Sequence, residues 1–123
     1  MKLSENFKLS EFRSKDGAYT PDEVRHNLVK LASQLQTLRN HLGRRIHINS
    51  GYRSPQHNRA VGGADESQHV LGKAADIVVD GLTPIEVKIA IEALIAQGEM
   101  LQGGLSAYNS FTHYDIRGYA ARW

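Results

Sequence analysis

Val24, Leu28, Leu31, Leu35, Leu38 and Leu42 recur at steps of three and four residues, and Gly43 comes directly after them. That spacing lays one apolar stripe along a long amphipathic helix, and the glycine supplies its stop. Thr20-Pro21-Asp22-Glu23 reads as the start, with Thr20 as cap, Pro21 in the first helical position and Glu23 closing a capping box. A stripe of this kind must be buried against other elements, so the rest of the chain has to supply a covering layer.

Beyond Gly43 the hydrophobic period changes from segment to segment. Ile46-His47-Ile48-Asn49-Ser50 alternates as a half-buried strand that ends at Gly51. Ser54-Pro55 caps and opens a short helix to about Val61, and Gly62-Gly63-Ala64-Asp65 is a turn. Ala74-Ala75-Asp76-Ile77-Val78-Val79 is apolar and β-branched, the pattern of a central strand. Thr83-Pro84-Ile85-Glu86 repeats the cap, proline and capping-box order, opening a helix with Val87, Ala90, Ile91, Leu94 and Ile95 on its core side. Gly103 to Tyr108 and Phe111 to Arg117 read as a hairpin around Asn109-Ser110, and Phe7, Leu9 and Phe12 as an arm laid on the core. The prediction is an α+β fold: a central, largely antiparallel sheet with the long N-terminal helix and a second helix packed on it, in one domain over residues 1–123.

Composition narrows the function classes. The chain of 123 residues is 41% hydrophobic and 23% charged, which argues against disorder. No apolar run approaches the roughly 20 residues of a membrane helix. The first residues, Met1-Lys2-Leu3-Ser4-Glu5-Asn6-Phe7, lack the apolar stretch of a secretory signal, so the expectation is a protein made in the cytoplasm. Zero cysteines remove disulfides, cysteine metal ligands and cysteine nucleophiles together. The net charge of +2 comes without a basic stripe, so neither nucleic acid nor a membrane is expected as a partner, and the chain is read as a monomer.

Six histidines, at 26, 41, 47, 57, 69 and 113, are the obvious places for chemistry. His26, His41 and His47 fall on polar faces, and His57 in the short helix has no evident partner. His69 differs: Asp76 stands seven residues later across the small residues Gly72, Ala74 and Ala75. An aspartate in an apolar strand is costly unless it is paired or bound to a cation, and imidazole with carboxylate suits zinc. In Thr112-His113-Tyr114-Asp115, alternation puts His113 and Asp115 on one strand face. His69, Asp76 and His113 then make a three-ligand set with room for water, the arrangement of catalytic rather than structural zinc. The plainer readings are a hydrogen-bonded core histidine, a capped aspartate and a His113–Asp115 ion pair. Arg53, after Ser50-Gly51-Tyr52, is placed to grip a carboxylate or an oxyanion, or else to pair with Asp65 or Glu66.

Ser50-Gly51-Tyr52-Arg53-Ser54-Pro55 with Asn58, Val61-Gly62-Gly63, Ser67-Gln68-His69, Gly72-Lys73-Ala74-Ala75-Asp76 and His113-Tyr114-Asp115 together resemble the zinc D-Ala-D-Ala carboxypeptidase-like superfamily, which shares its fold with the hedgehog signalling domain. Within it the likeness is strongest to the small peptidases of phage lysis proteins and bacterial murein endopeptidases. The resemblance implies one zinc ion per chain on His69, Asp76 and His113, with Arg53 as a catalytic group at the substrate carbonyl or carboxylate. It also implies Ser67 and Tyr52 as substrate contacts, and peptidoglycan peptides as the substrate. Many relatives carry an acid a few residues before the last histidine as general base, whereas no acid lies between Glu99 and His113 here. Asp115 is the acid left for that role, although relatives with His-x-His leave open that position 115 is the ligand and His113 its catalytic partner. The implied function is hydrolysis of an amide bond in peptidoglycan stem peptides or cross-links, after release onto the cell wall as in a phage lysin. The rival is a catalytically inactive zinc-bearing module of the same fold that binds cell wall or protein.

Overall fold

The computed structural model describes all 123 residues. The long helix, α1, spans Asp22–Leu42. Its stripe is buried as the spacing predicts, with Leu28, Leu31, Leu35 and Leu38 fully inaccessible. Gly43 closes it at φ 63°, in the left-handed region, and its N–H reaches the Arg39 carbonyl. The start differs from expectation. Pro21 has an extended ψ of 153° and is itself the N-cap, so Thr20 lies one residue too early to cap and is buried instead. Asp22 and Glu23 in the first turn favour the helix N-terminus by charge alone.

Strand β1 (Ile46–Ser50) leads to the short helix α2 (Pro55–Ala60), where the Ser54 hydroxyl accepts the His57 N–H as expected of a cap. β2 (Ala74–Val79) is succeeded by α3 (Pro84–Ala96), with both hydrogen bonds of the Thr83–Glu86 capping box formed. β3 (Gly104–Ala107) and β4 (Thr112–Asp115) are the expected hairpin. A two-residue strand, β5 (Ala121–Arg122), pairs parallel to β3 and is not legible as a strand from its residues. The sheet order is β1-β2-β4-β3-β5, antiparallel except at that last edge.

Period-two alternation divides the sheet into two faces. Ala75, Ile77 and Val79 of β2, Leu105 of β3 and Tyr114 of β4 join Leu28, Leu31 and Leu35 of α1 and Val87, Ile91 and Leu94 of α3 in one core of 20 buried residues. Phe7 and Phe12 of the N-terminal arm belong to the same core. The intervening residues, Asp76, His113, Asp115 and Ser106, point to the opposite face, and all four are buried polar groups. No helix is long and apolar enough to cross a membrane.

A polar knot ties the N-terminal arm to the turn that carries Arg53. The Asp16 carboxylate accepts from the Ser14 and Ser54 hydroxyls, each at 2.6 Å, and from the Ala18 N–H, while Ser54 N–H donates to Ser14 Oγ. The Ser14 bond, then those of Ser54 and Ala18, lower its pKa from 3.8 to about 2. A carboxyl depressed on folding contributes stability above its unfolded value, and this is lost as pH falls towards the folded one. Acid destabilisation between about pH 4 and pH 2 is therefore expected to be shallower in Asp16→Asn, read as urea midpoints across that range. An unchanged acid slope would contradict it.

Candidate active site

Two neighbouring strands and one loop build the site. Asp76 on β2 and His113 on β4 are direct cross-strand partners, so the sheet register alone brings carboxylate and imidazole together. His69 arrives from the loop before β2, which folds in tight turns: Val70, Leu71 and Gly72 donate to the carbonyls of Ser67, Gln68 and His69. Gly72, at φ 73°, lets this loop pass against Val24 of α1, where a Cβ would collide.

His69 Nε2 lies 3.3 Å from Asp76 Oδ1, and His113 Nδ1 lies 3.0 Å from the same oxygen. Taking one donor atom from each residue, the three fall within 4.8 Å of one another, and all three side chains are buried. The far nitrogens are fixed by acceptors. Gly51 O, 2.8 Å from His69 Nδ1, only accepts, so Nδ1 carries the proton and Nε2 faces the cluster with its lone pair. Asp115 Oδ2, 2.7 Å from His113 Nε2, likewise holds an N–H there and turns Nδ1 inward. Outer-shell acceptors that set the tautomer in this way are what metal-bound histidines require. A His2Asp set with both imidazoles so oriented fits zinc.

The cluster's electrostatics agree with a cation site. Burial alone would raise Asp76, but its contacts with the His113 and His69 rings outweigh it and lower its pKa from 3.8 to about 2. Burial opposes charge on His113, yet Asp115 and Asp76 on either side raise its pKa above 6.5. Two carboxylates thus favour the protonated form of His113, at the place where a metal ion would otherwise supply the positive charge.

Asp115 is fully buried and saturated. It accepts from His113 Nε2, from the Gly104 N–H at 2.8 Å, from the Arg117 N–H, and from the Arg117 guanidinium through Nε at 2.9 Å and a terminal nitrogen at 2.7 Å. Burial works against its charge, but these donors hold it far below the usual carboxylate range. Its carboxylate meets the side of the His113 ring opposite the one facing Asp76. Gly104 makes this possible, because a Cβ there would collide with the Asp115 carboxylate and the Arg117 guanidinium. Gly104→Ala is expected to cost about 1–3 kcal/mol through overpacking and to loosen His113. A lowered melting temperature together with weaker zinc retention would show both effects, and a wild-type value for both would refute the account.

A cavity of about 460 Å³ opens over the cluster, with Arg53, Ser67, His69, Asp76 and His113 on its wall. Of the residues expected from sequence, these five come together. Arg53 pairs with Asp76 at 3.6 Å and donates to Asn58 Oδ1, not to Asp65 or Glu66. Ser67 Oγ accepts the His69 N–H. Tyr52 is a correction: it is only 4% exposed, belongs to the apolar core and does not line the cavity. Neighbouring residues of an extended chain point to opposite sides, and with Arg53 turned to the cavity Tyr52 turns inward. His47 pairs with Asp80 on the surface, and His26 and His41 are exposed, as their polar faces predict.

Sequence reasoning missed Arg117 and the aromatic wall of Tyr108, Phe111 and Trp123, and offered Glu66 only as a partner for Arg53 and not as part of the cavity. Arg117 was within reach, since the two-residue step through His113 and Asp115 leads to it. Trp123 comes from beyond β5; its ring lies 5.1 Å from the His113 ring, and its indole N–H donates to the Tyr108 hydroxyl.

Compared with models of known protein families, residues 4–115 match the one described as Peptidase M15. The chain belongs to the peptidase M15 family. No curated protein matches it significantly. M15 peptidases are zinc-dependent, and the His69, Asp76 and His113 cluster is the group in this member that can hold the ion. Family and geometry together fit a zinc peptidase, as the sequence motifs implied.

Proposed function

We propose that this M15 peptidase hydrolyses an amide bond in the peptide part of peptidoglycan, with one zinc ion on His69, Asp76 and His113. The observation that carries the reading is the convergence of those three side chains, tautomers fixed, on a cavity wall that also presents Arg53. Zinc bound there would polarise the scissile carbonyl and make its water acidic enough to attack near neutral pH. Arg53, steadied by Asp76 and Asn58, faces the same space with donors for a substrate carboxylate or the oxygen developing charge. Ser67 lies beside it as a polar contact. Asp115 orients His113 in this reading: with every lone pair engaged and the His113 ring in between, it is poorly placed to serve as the base.

A second cavity of about 520 Å³ adjoins the first, sharing Glu66, Ser67, Gln68 and Arg117 and extending to Leu71 and Tyr119. The second cavity extends the space beyond the cluster along the Glu66–Gln68 and Arg117 side, and room for a longer chain supports cleavage within a chain over removal of a terminal residue. The motif likeness to phage-lysis and murein endopeptidases supports the same choice, and a wall substrate met after release. The alternative, a zinc-bearing binding module without activity, draws on the saturation of Asp115.

Digestion of defined muropeptides by zinc-loaded protein, with the products read by mass spectrometry, distinguishes these readings. Chelator-sensitive cleavage at an internal amide is the expected result. Binding without cleavage across several wall chemistries would favour the module, and release of only a terminal residue would favour a carboxypeptidase.

A further inference from the structure

Amide hydrolysis needs a group that takes a proton from the attacking water and passes one to the departing amine. The side chains around the cluster leave few candidates. Asp76 faces both histidines and Arg53, and Asp115 is shared between His113 and Arg117. The Tyr108 hydroxyl already accepts from the Trp123 indole. Arg53 and Arg117 are permanent cations. Glu66 is the one further carboxylate on the cavity wall, and none of the ion pairs around the site involves it.

Its placement is also fixed by the chain. Glu66 sits in the turn that presents His69, where Ser67 N–H donates to the Ala64 carbonyl and Ser67 Oγ accepts the His69 N–H. The backbone three residues before His69, in a turn hydrogen-bonded to that histidine's own N–H, is held beside the cluster, and the Glu66 side chain lines the cavity over it. It is exposed, as a group that must exchange protons with water should be.

Resting on the zinc-peptidase reading, we infer that Glu66 is the catalytic base of this enzyme and takes the place of the acid missing between Glu99 and His113. In the step assigned to it, the Glu66 carboxylate accepts a proton from water as the water oxygen bonds to the scissile carbonyl carbon. The carbon–nitrogen bond then breaks, and the same proton passes from Glu66 to the amide nitrogen, which leaves as an amine. One water is consumed, the acyl part ends as a carboxylic acid, and Glu66 returns to its carboxylate form.

The test compares wild type, Glu66→Gln and Glu66→Asp on one muropeptide that the wild type cleaves. Zinc content is measured by elemental analysis and peptide affinity through the fluorescence of Trp123, the single tryptophan. Positioned bases contribute about 10²–10⁴-fold, so Glu66→Gln should lose at least about 100-fold in kcat. It should retain one zinc and a wild-type Kd, and Glu66→Asp should recover part of the loss. Turnover within threefold of wild type in Glu66→Gln would overturn the assignment. So would loss of its zinc, which would make Glu66 an aid to metal binding. A wild type that cleaves nothing fails the peptidase reading itself, and that is seen before any variant is compared.

Discussion

Asp76→Asn is expected to strip zinc from the protein and abolish hydrolysis, the largest effect of any single substitution in this chain. The carboxylate is the hub of the site: both histidines and Arg53 converge on it, and β2–β4 pairing places it opposite His113. Asparagine keeps the volume and can still accept a hydrogen bond, so the backbone register should survive. What disappears is the negative charge. Loss of a mere outer partner costs roughly 10–100-fold in metal affinity or activity, and loss of a charged ligand should exceed that. Metal-free protein should suffer too. Removing one member of a buried ion network leaves its partners uncompensated, at a cost of about 3–5 kcal/mol. Elemental analysis and chelated thermal melts check the two parts separately. One equivalent of zinc retained by Asp76→Asn, with unchanged turnover, would exclude the assigned ligand set.

The His69, Asp76 and His113 cluster could be picked out in the sequence while part of its surroundings could not, and the reason is physical. Its members betray themselves through cost: Asp76 interrupts an apolar strand, and His113 alternates with buried Tyr114. Helix boundaries were legible wherever side-chain chemistry dictates them, as at Ser54 and Thr83. At Thr20 the same local rule failed, because Pro21 adopts an extended ψ and serves as the cap itself, which leaves Thr20 buried one residue outside the helix. The cavity wall obeys no local rule. Trp123 reaches His113 only because β5 docks beside β3 in parallel, a pairing of two residues with no periodicity to announce it. Asp115 shows the limit most clearly. Its place on the His113 face was readable from alternation, but its neighbours Gly104 and Arg117 decide its role. One of these sits across a hairpin, eleven residues away.

Chelation of zinc-loaded protein is expected to lower the melting temperature substantially without unfolding the chain at room temperature. The metal would join the loop bearing His69 to β2 and β4, linking segments 44 residues apart that otherwise meet through histidine–carboxylate contacts. Binding only the native state stabilises it by about 4 kcal/mol when free zinc exceeds its Kd a thousandfold, or on the order of 15 °C for a chain of this size. The apolar core lies on the other face of the sheet and needs no metal, so the chelated protein should still melt cooperatively. The size of the shift should itself depend on pH. In the metal-free protein the raised pKa of His113 contributes stability that is complete below its unfolded value of about 6.5 and is lost as pH rises through the folded value. Zinc has the opposite dependence, because it must displace that proton from Nδ1 to bind. The gap between zinc-loaded and chelated melts should therefore widen from pH 5.5 to pH 8, and His113→Ala should abolish both the gap and its slope. A gap that narrows with rising pH would show that the proton and the metal do not compete for His113.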